Sequence, residues 1–274
     1  MDKKIIIVTG ASSGIGKATA LYLIEEGHKV YGLARRLEKM QDIENAGGNS
    51  MKLDVTNHKQ IKEVVASIYK KEGRIDALIN NAGFSHCAPI EEVSYEKAKY
   101  ICDVNLFGLA EMTKAVLPIM RKQKSGTIVN LSSMGGKIVT PLMGWYGVTK
   151  FAVEAFSDAL RMEVKQFGIN VAIIEPGNVQ SELAGNTVIE HIPNSAYQEL
   201  KDVMEIGLKN TFEKDPGSNP IVAAKAISHS INAKKPKTRY PVGKMAKAAL
   251  TAKKWLSDKQ FDKLVMSQLE KAAK

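Results

Sequence analysis

Lys4-Ile5-Ile6-Ile7-Val8-Thr9-Gly10-Ala11-Ser12-Ser13-Gly14-Ile15-Gly16 reads as a strand, a glycine-rich turn and the start of a helix. Lys4 to Val8 carries a continuous apolar run, as expected of a strand buried on both faces of a parallel sheet. Ala18, Leu21, Leu23 and Ile24 then recur at helical spacing. A bare Gly/Ser loop has similar composition, so the order of elements carries the reading. In this order Gly10 permits a tight turn, Gly14 lets a pyrophosphate approach the backbone, and Gly16 lets helix and strand pack closely. The helix start offers unpaired N–H groups and a positive dipole end to phosphates. Gly27 closes the helix.

Working outward, Lys29 to Ala34 is a second strand, followed by Arg35-Arg36. An acidic residue there would bond the ribose 2′-OH of NAD, whereas arginine suits the 2′-phosphate of NADP. The expectation is NADPH preference, with Arg35 and Ser13 on the phosphate and Arg36 as second choice; a solvated corner is the other reading. Ser50 to Leu53 is a third strand ending in Asp54-Val55. Asp54 either accepts from an adenine amino group or caps the helix that starts near Asn57. Ala77 to Asn80 is a fourth strand, closing in Asn81-Ala82-Gly83, whose small residues permit close ligand approach. A long helix is predicted from about Ser94 to Lys122. Asn105 inside it is either a packing residue or the holder of a water relay.

Thr127 to Leu131 is a fifth strand with Ser132-Ser133 at its C-terminal end, where ligand sites of open parallel sheets lie. An apolar loop, 134–145, precedes a helix containing Tyr146-Gly147-Val148-Thr149-Lys150. Residues four apart share a helix face, which puts the Lys150 ammonium beside the Tyr146 phenol. A free tyrosine titrates near about 10, and a fixed cation is expected to bring it toward neutrality. Ser133 would hold a carbonyl oxygen against the same phenol. Ile169 to Ile174 is a sixth strand, leading to Pro176-Gly177.

Residues 178–220 hold three prolines and predict a lid or binding loop with a helix near 195–212. A helix over 221–232, a seventh strand over 238–242 and a capping box at Ser257 and Gln260 follow. The 274 residues fit one large α/β domain, 1–274, ending in a basic helical extension, 244–274. The net charge of +10 resides in residues 225–274, which hold 13 Lys/Arg against 3 Asp/Glu. A solvated helix face is the favoured reading of this tail over an anionic membrane surface, and no nucleic-acid motif accompanies it. Cys87 and Cys102 give neither a disulfide framework nor a metal spacing, and no apolar run approaches the roughly 18 residues that span a bilayer. The expectation is a cytoplasmic protein without a metal site.

Taken together, T-G-x-x-x-G-x-G, N-N-A-G, a serine thirteen residues before Y-x-x-x-K, and P-G resemble the short-chain dehydrogenase/reductase family over nearly the whole chain. The resemblance implies a doubly wound Rossmann-type fold, a seven-stranded parallel sheet with helices on both faces, and a dimer or tetramer. It implies that Tyr146 exchanges the proton, Lys150 bonds the nicotinamide ribose and acidifies the phenol, Ser133 holds the substrate oxygen, and Asn105 completes a relay. It also assigns cofactor contacts to Gly10, Ser12, Ser13, Gly14, Ile15, Gly16, Asp54, Val55, Asn81, Ala82, Gly83, Pro176, Gly177, Val179 and Ser181. The phrases at 103–108, 117–121, 158–163 and 239–243 are similar to the steroid and retinol dehydrogenase-like branch, which favours bulky apolar carbonyls and alcohols. The implied activity is NADPH-dependent interconversion of a carbonyl and an alcohol on a small-molecule substrate. The alternative is an NADPH-binding regulatory protein without turnover.

Overall fold

A computed structural model describes residues 3–180 and 189–274; Ser181 lies outside the described residues. The strands are β1 (Ile5–Thr9), β2 (Lys29–Ala34), β3 (Asn49–Lys52), β4 (Ala77–Asn80), β5 (Gly126–Leu131), β6 (Ile169–Pro176) and β7 (Arg239–Val242). They form one parallel sheet in the order β3-β2-β1-β4-β5-β6-β7. The helices are α1 (Gly14–Glu25), α2 (Gln41–Asn45), α3 (His58–Glu72), α4 (Tyr95–Cys102), α5 (Gly108–Gln123), α6 (Gly144–Val164), α7 (Gln198–Lys214), α8 (Ile221–Asn232), α9 (Ala246–Trp255) and α10 (Asp258–Ala272).

Strand parity explains the two layers. Side chains alternate faces along a strand. Ile5 and Ile7 pack with Ile61, Val65, Met112 and Val116 from α3 and α5. Ile6 and Val8 pack on the other face with Ala20, Leu23 and Ile227 from α1 and α8. Every residue of Ile5–Val8 is buried, which accounts for the unbroken apolar run. The chain builds β1, β2 and β3 outward, then returns to place β4 on the other side of β1. A crevice opens at the strands' C-terminal ends where the winding reverses.

Two local features depart from the sequence expectation. The helix predicted over 94–122 is broken by a π turn at Asp103–Phe107. Its i→i+5 bonding inserts one extra residue and re-aims the side chains around Asn105. Asp54 does not cap α3; the Asn57 side chain does, accepting from the Gln60 N–H at 3.0 Å. The Asp54 carboxylate instead accepts from the Thr56 N–H and hydroxyl at 2.9 and 2.8 Å. The C-terminal extension is docked: the Asn210 amide of α7 donates to the Ala272 carbonyl at 2.9 Å. No helix among the described residues is long and apolar enough to cross a membrane.

Candidate active site

The crevice between β1 and β4 is a cleft of about 420 Å³. Thr9 ties its two walls together. Its hydroxyl donates to the Ile79 carbonyl and accepts from the N–H groups of Asn81 and Ala82 at 3.0 and 3.1 Å. The Asn81 amide donates back to the carbonyls of Thr9 and Gly10 at 3.0 and 3.2 Å. Sequence reading gave Thr9 no role beyond its place in the motif, because Asn81 lies 72 residues further along the chain.

The turn needs its glycines. Gly10 has φ +66°, and a Cβ there would lie 2.8 Å from the Ala82 Cα. A Cβ on Gly16 would meet the Gly10 carbonyl oxygen at 2.4 Å. Ser13 occupies the N-cap of α1 in extended conformation without a side-chain cap bond, and the first turn of α1 holds no acidic residue. The helix therefore presents its positive end to the cleft. Ser12, Ser13, Gly14, Ile15, Asp54, Val55 and Gly83 line the same space, as do Arg35 and Arg36. The exposed Arg35 donates to the Tyr100 hydroxyl at 3.1 Å, and Arg36 donates to the Ser12 hydroxyl at 3.3 Å. A glycine cradle, hydroxyls, a helix start and two guanidinium groups fit the phosphates of a dinucleotide.

A second cavity of about 240 Å³ adjoins the first; Ile15, Asn81 and Gly83 line both. Met134, Ile138, Val139 and Met143 make much of its wall apolar, with Tyr146, Lys150, Ser133, Pro176, Gly177 and Val179 also around it. Tyr146 is 8% and Lys150 5% exposed. Ser133, just beyond β5, lies beside the Tyr146 phenol, accepts from the Gly135 N–H at 3.0 Å and donates to the Pro176 carbonyl at 3.5 Å.

The expected acidification of Tyr146 does not appear. Burial raises the phenol above its ordinary value, and the Ser133 hydrogen bond only partly offsets this. Lys150 donates to the Leu131 carbonyl at 2.8 Å and lies 5.7 Å from the Tyr146 ring centroid. Burial lowers the Lys150 ammonium to about 8, against an opposing pull from the Glu154 carboxylate. Spacing set the shared helix face correctly, but desolvation controls the titration.

Asn105 is 1% exposed and its amide is fully engaged. It exchanges hydrogen bonds with the Phe84 backbone, both at 2.9 Å, and donates to the Thr149 hydroxyl at 3.1 Å. Thr149 in turn donates to the Tyr146 carbonyl at 2.8 Å. The side chain thus braces the tyrosine turn.

Behind Lys150 lies a partly buried ionic cluster that sequence reading missed. Arg239 of β7 reaches Glu154 at 3.0 Å, Asp158 at 2.7 Å and Glu175 at 3.6 Å. Glu175 is pushed up to about 7, first by burial and then by the neighbouring Glu154 charge. An acid whose folded value is raised favours folding in its neutral form. That contribution is complete below the ordinary value near 4.5 and is lost as pH rises through about 7. Glu175→Gln, which keeps the group neutral, is expected to raise Tm relative to the unaltered protein increasingly from pH 5 to 7 and by a constant amount above. A Tm difference independent of pH would contradict this.

A dinucleotide crevice that continues into a buried tyrosine–serine–lysine chamber defines an oxidoreductase dependent on a nicotinamide nucleotide. The chain belongs to the short chain dehydrogenase family, whose model matches residues 4–191. It is 38% identical to a 3-ketodihydrosphingosine reductase of Bacteroides thetaiotaomicron over 262 residues, covering 94% of this chain and 95% of that protein. Among solved structures, a short-chain dehydrogenase from Streptomyces avermitilis matches with TM-score 0.81 and 34% identity over 100% of this chain and 98% of the other. A closed serine dehydrogenase complexed with NADP⁺ matches with TM-score 0.76 and 29% identity over 87% and 94%.

Proposed function

We propose that the protein is an NADPH-dependent carbonyl reductase, reversible as an alcohol dehydrogenase, whose substrate carries a long apolar chain. The continuity of the two cavities carries this reading: Asn81 and Gly83 wall both the phosphate cleft and the apolar chamber that holds Tyr146. A nicotinamide nucleotide supplies the hydride when bound. Tyr146, protonated at neutral pH, gives its phenolic proton to the carbonyl oxygen. Ser133 donates a hydrogen bond to the same oxygen. Lys150, fixed by the Leu131 carbonyl, places positive charge beside the phenolate that forms. Asn105 acts through Thr149, holding the Tyr146 turn in place.

The apolar lining and the Bacteroides relative's name both support a long-chain 3-keto compound as substrate. The described part of the segment 178–220 would close over such a chain. Its α7 is latched to the body by Lys201, which is wholly buried and pairs with Glu92, while Ser195 and Tyr197 bond Glu92 and Glu91. The test is NADPH oxidation across ketones of graded chain length. The reading predicts that kcat/KM rises with chain length, and a preference for short polar ketones would contradict it.

NADPH preference rests on Arg35 and Arg36 at the cleft. Arg35→Asp is expected to lower kcat/KM for NADPH relative to NADH by roughly 10–100-fold, since a charge-assisted phosphate contact contributes about 1.5–3 kcal/mol. Equal losses with both nucleotides would place the 2′-phosphate elsewhere.

A further inference from the structure

Glu154 stands one turn beyond Lys150 on α6, just as Lys150 stands one turn beyond Tyr146. This spacing puts all three on one helix face. Glu154 is only 3% exposed. A carboxylate so deeply buried is normally matched by partners on both oxygens. Here Oε2 takes Arg239 at 3.0 Å and Lys137 at 3.2 Å, while Oε1 has no hydrogen-bond partner among the described residues.

Both of those cations lie on the other oxygen. Facing Glu154 are Lys150 and Asp158 from its own helix, Lys137 from the loop after β5, Glu175 from β6 and Arg239 from β7. Arg239 is divided among Glu154, Asp158 and Glu175. Three carboxylates thus share the one guanidinium, and Asp158 also takes Arg161. Lys150, by contrast, has a neutral hydrogen-bond partner, the Leu131 carbonyl. A buried ammonium held only by a carbonyl tends to lose its proton.

We propose that Glu154 is a positioning residue whose buried carboxylate, one helical turn from Lys150, keeps Lys150 an ammonium at neutral pH. The lowered Lys150 value of about 8 and the opposing effect of Glu154 agree with this geometry. The consequence for catalysis rests on the function proposed above. A neutral amine at position 150 would leave the phenolate without its counter-charge, so reductase activity would fall on the alkaline side.

The test reads Lys150 directly and needs no turnover. The full chain is labelled with ¹³C at the lysine ε carbon and titrated by NMR, with Lys150→Arg identifying the resonance. In the unaltered protein Lys150 is expected to titrate near 8, apart from surface lysines at about 10.4. Glu154→Gln is expected to lower its midpoint by about one unit. Lys137→Met removes a cation that neutralises Glu154, at a site 38% exposed, and is expected to raise the midpoint. Opposite movements support the proposal; an unmoved midpoint in Glu154→Gln, or movement of both variants in one direction, overturns it. Should Glu154→Gln fail to fold, Lys137→Met decides alone, and absence of a rise overturns the proposal. The alkaline limb of kcat/KM should move with each midpoint. A midpoint that moves while the limb stays put upholds the electrostatic role of Glu154 and refutes the catalytic role assigned to Lys150.

Discussion

Tyr146→Phe is expected to lower kcat for ketone reduction by roughly 10²–10⁴-fold, the usual contribution of a positioned general acid. The substitution removes one oxygen and keeps the ring, so the buried packing at 8% exposure is preserved. The Thr149 hydroxyl bonds the Tyr146 backbone carbonyl, which the change does not touch. Tm and the Kd for NADPH should therefore stay close to those of the unaltered protein. Ser133 keeps its bonds to the Gly135 N–H and the Pro176 carbonyl. Loss confined to kcat would place the phenol in the transition state alone. Turnover within about tenfold of normal would mean that another group gives the proton.

Gly16→Ala is expected to weaken nucleotide binding by about 10²-fold and to lower Tm by roughly 3–10 °C, from an overpacking cost of about 1–3 kcal/mol. The new Cβ would lie 2.3 Å from the Asn81 amide nitrogen and 2.4 Å from the Gly10 carbonyl oxygen. The side chain can turn aside, but the carbonyl belongs to the backbone of the phosphate turn. Moving it breaks the 3.2 Å bond from Asn81 and opens the tie between β1 and β4. Isothermal titration with NADPH and a thermal melt check both effects. Unchanged affinity would show that the nucleotide phosphates do not rest on this turn.

The parts of this molecule most legible in the sequence are those where chemistry demands a residue type at a fixed spacing. Ile5–Val8 announces a strand covered on both faces, and Gly10 and Gly16 sit where any side chain would collide with the backbone. Tyr146 and Lys150 share a helix face as their spacing implied, and Ser133 lines the same cavity. The π turn at Asp103–Phe107 left no such trace, because one extra residue per turn changes hydrogen-bond register and not composition. Arg239 and Glu154 are 85 residues apart, so no local pattern joins them. Glu154 itself was readable as the third member of an i, i+4, i+8 row. The direction of the Tyr146 titration depends on how much water reaches the phenol, a property of the folded chamber and not of neighbours in the chain.

The central claim is hydride transfer between a nicotinamide nucleotide and a carbonyl carbon in the chamber that holds Tyr146. NADPH deuterated at C4 on one face, and separately on the other, tests it by mass spectrometry of the alcohol formed from the ketone that turns over best. The account predicts one deuterium at the carbinol carbon from one labelled form and none from the other. Deuterium retained in the nucleotide from both forms, or released to water, would contradict it.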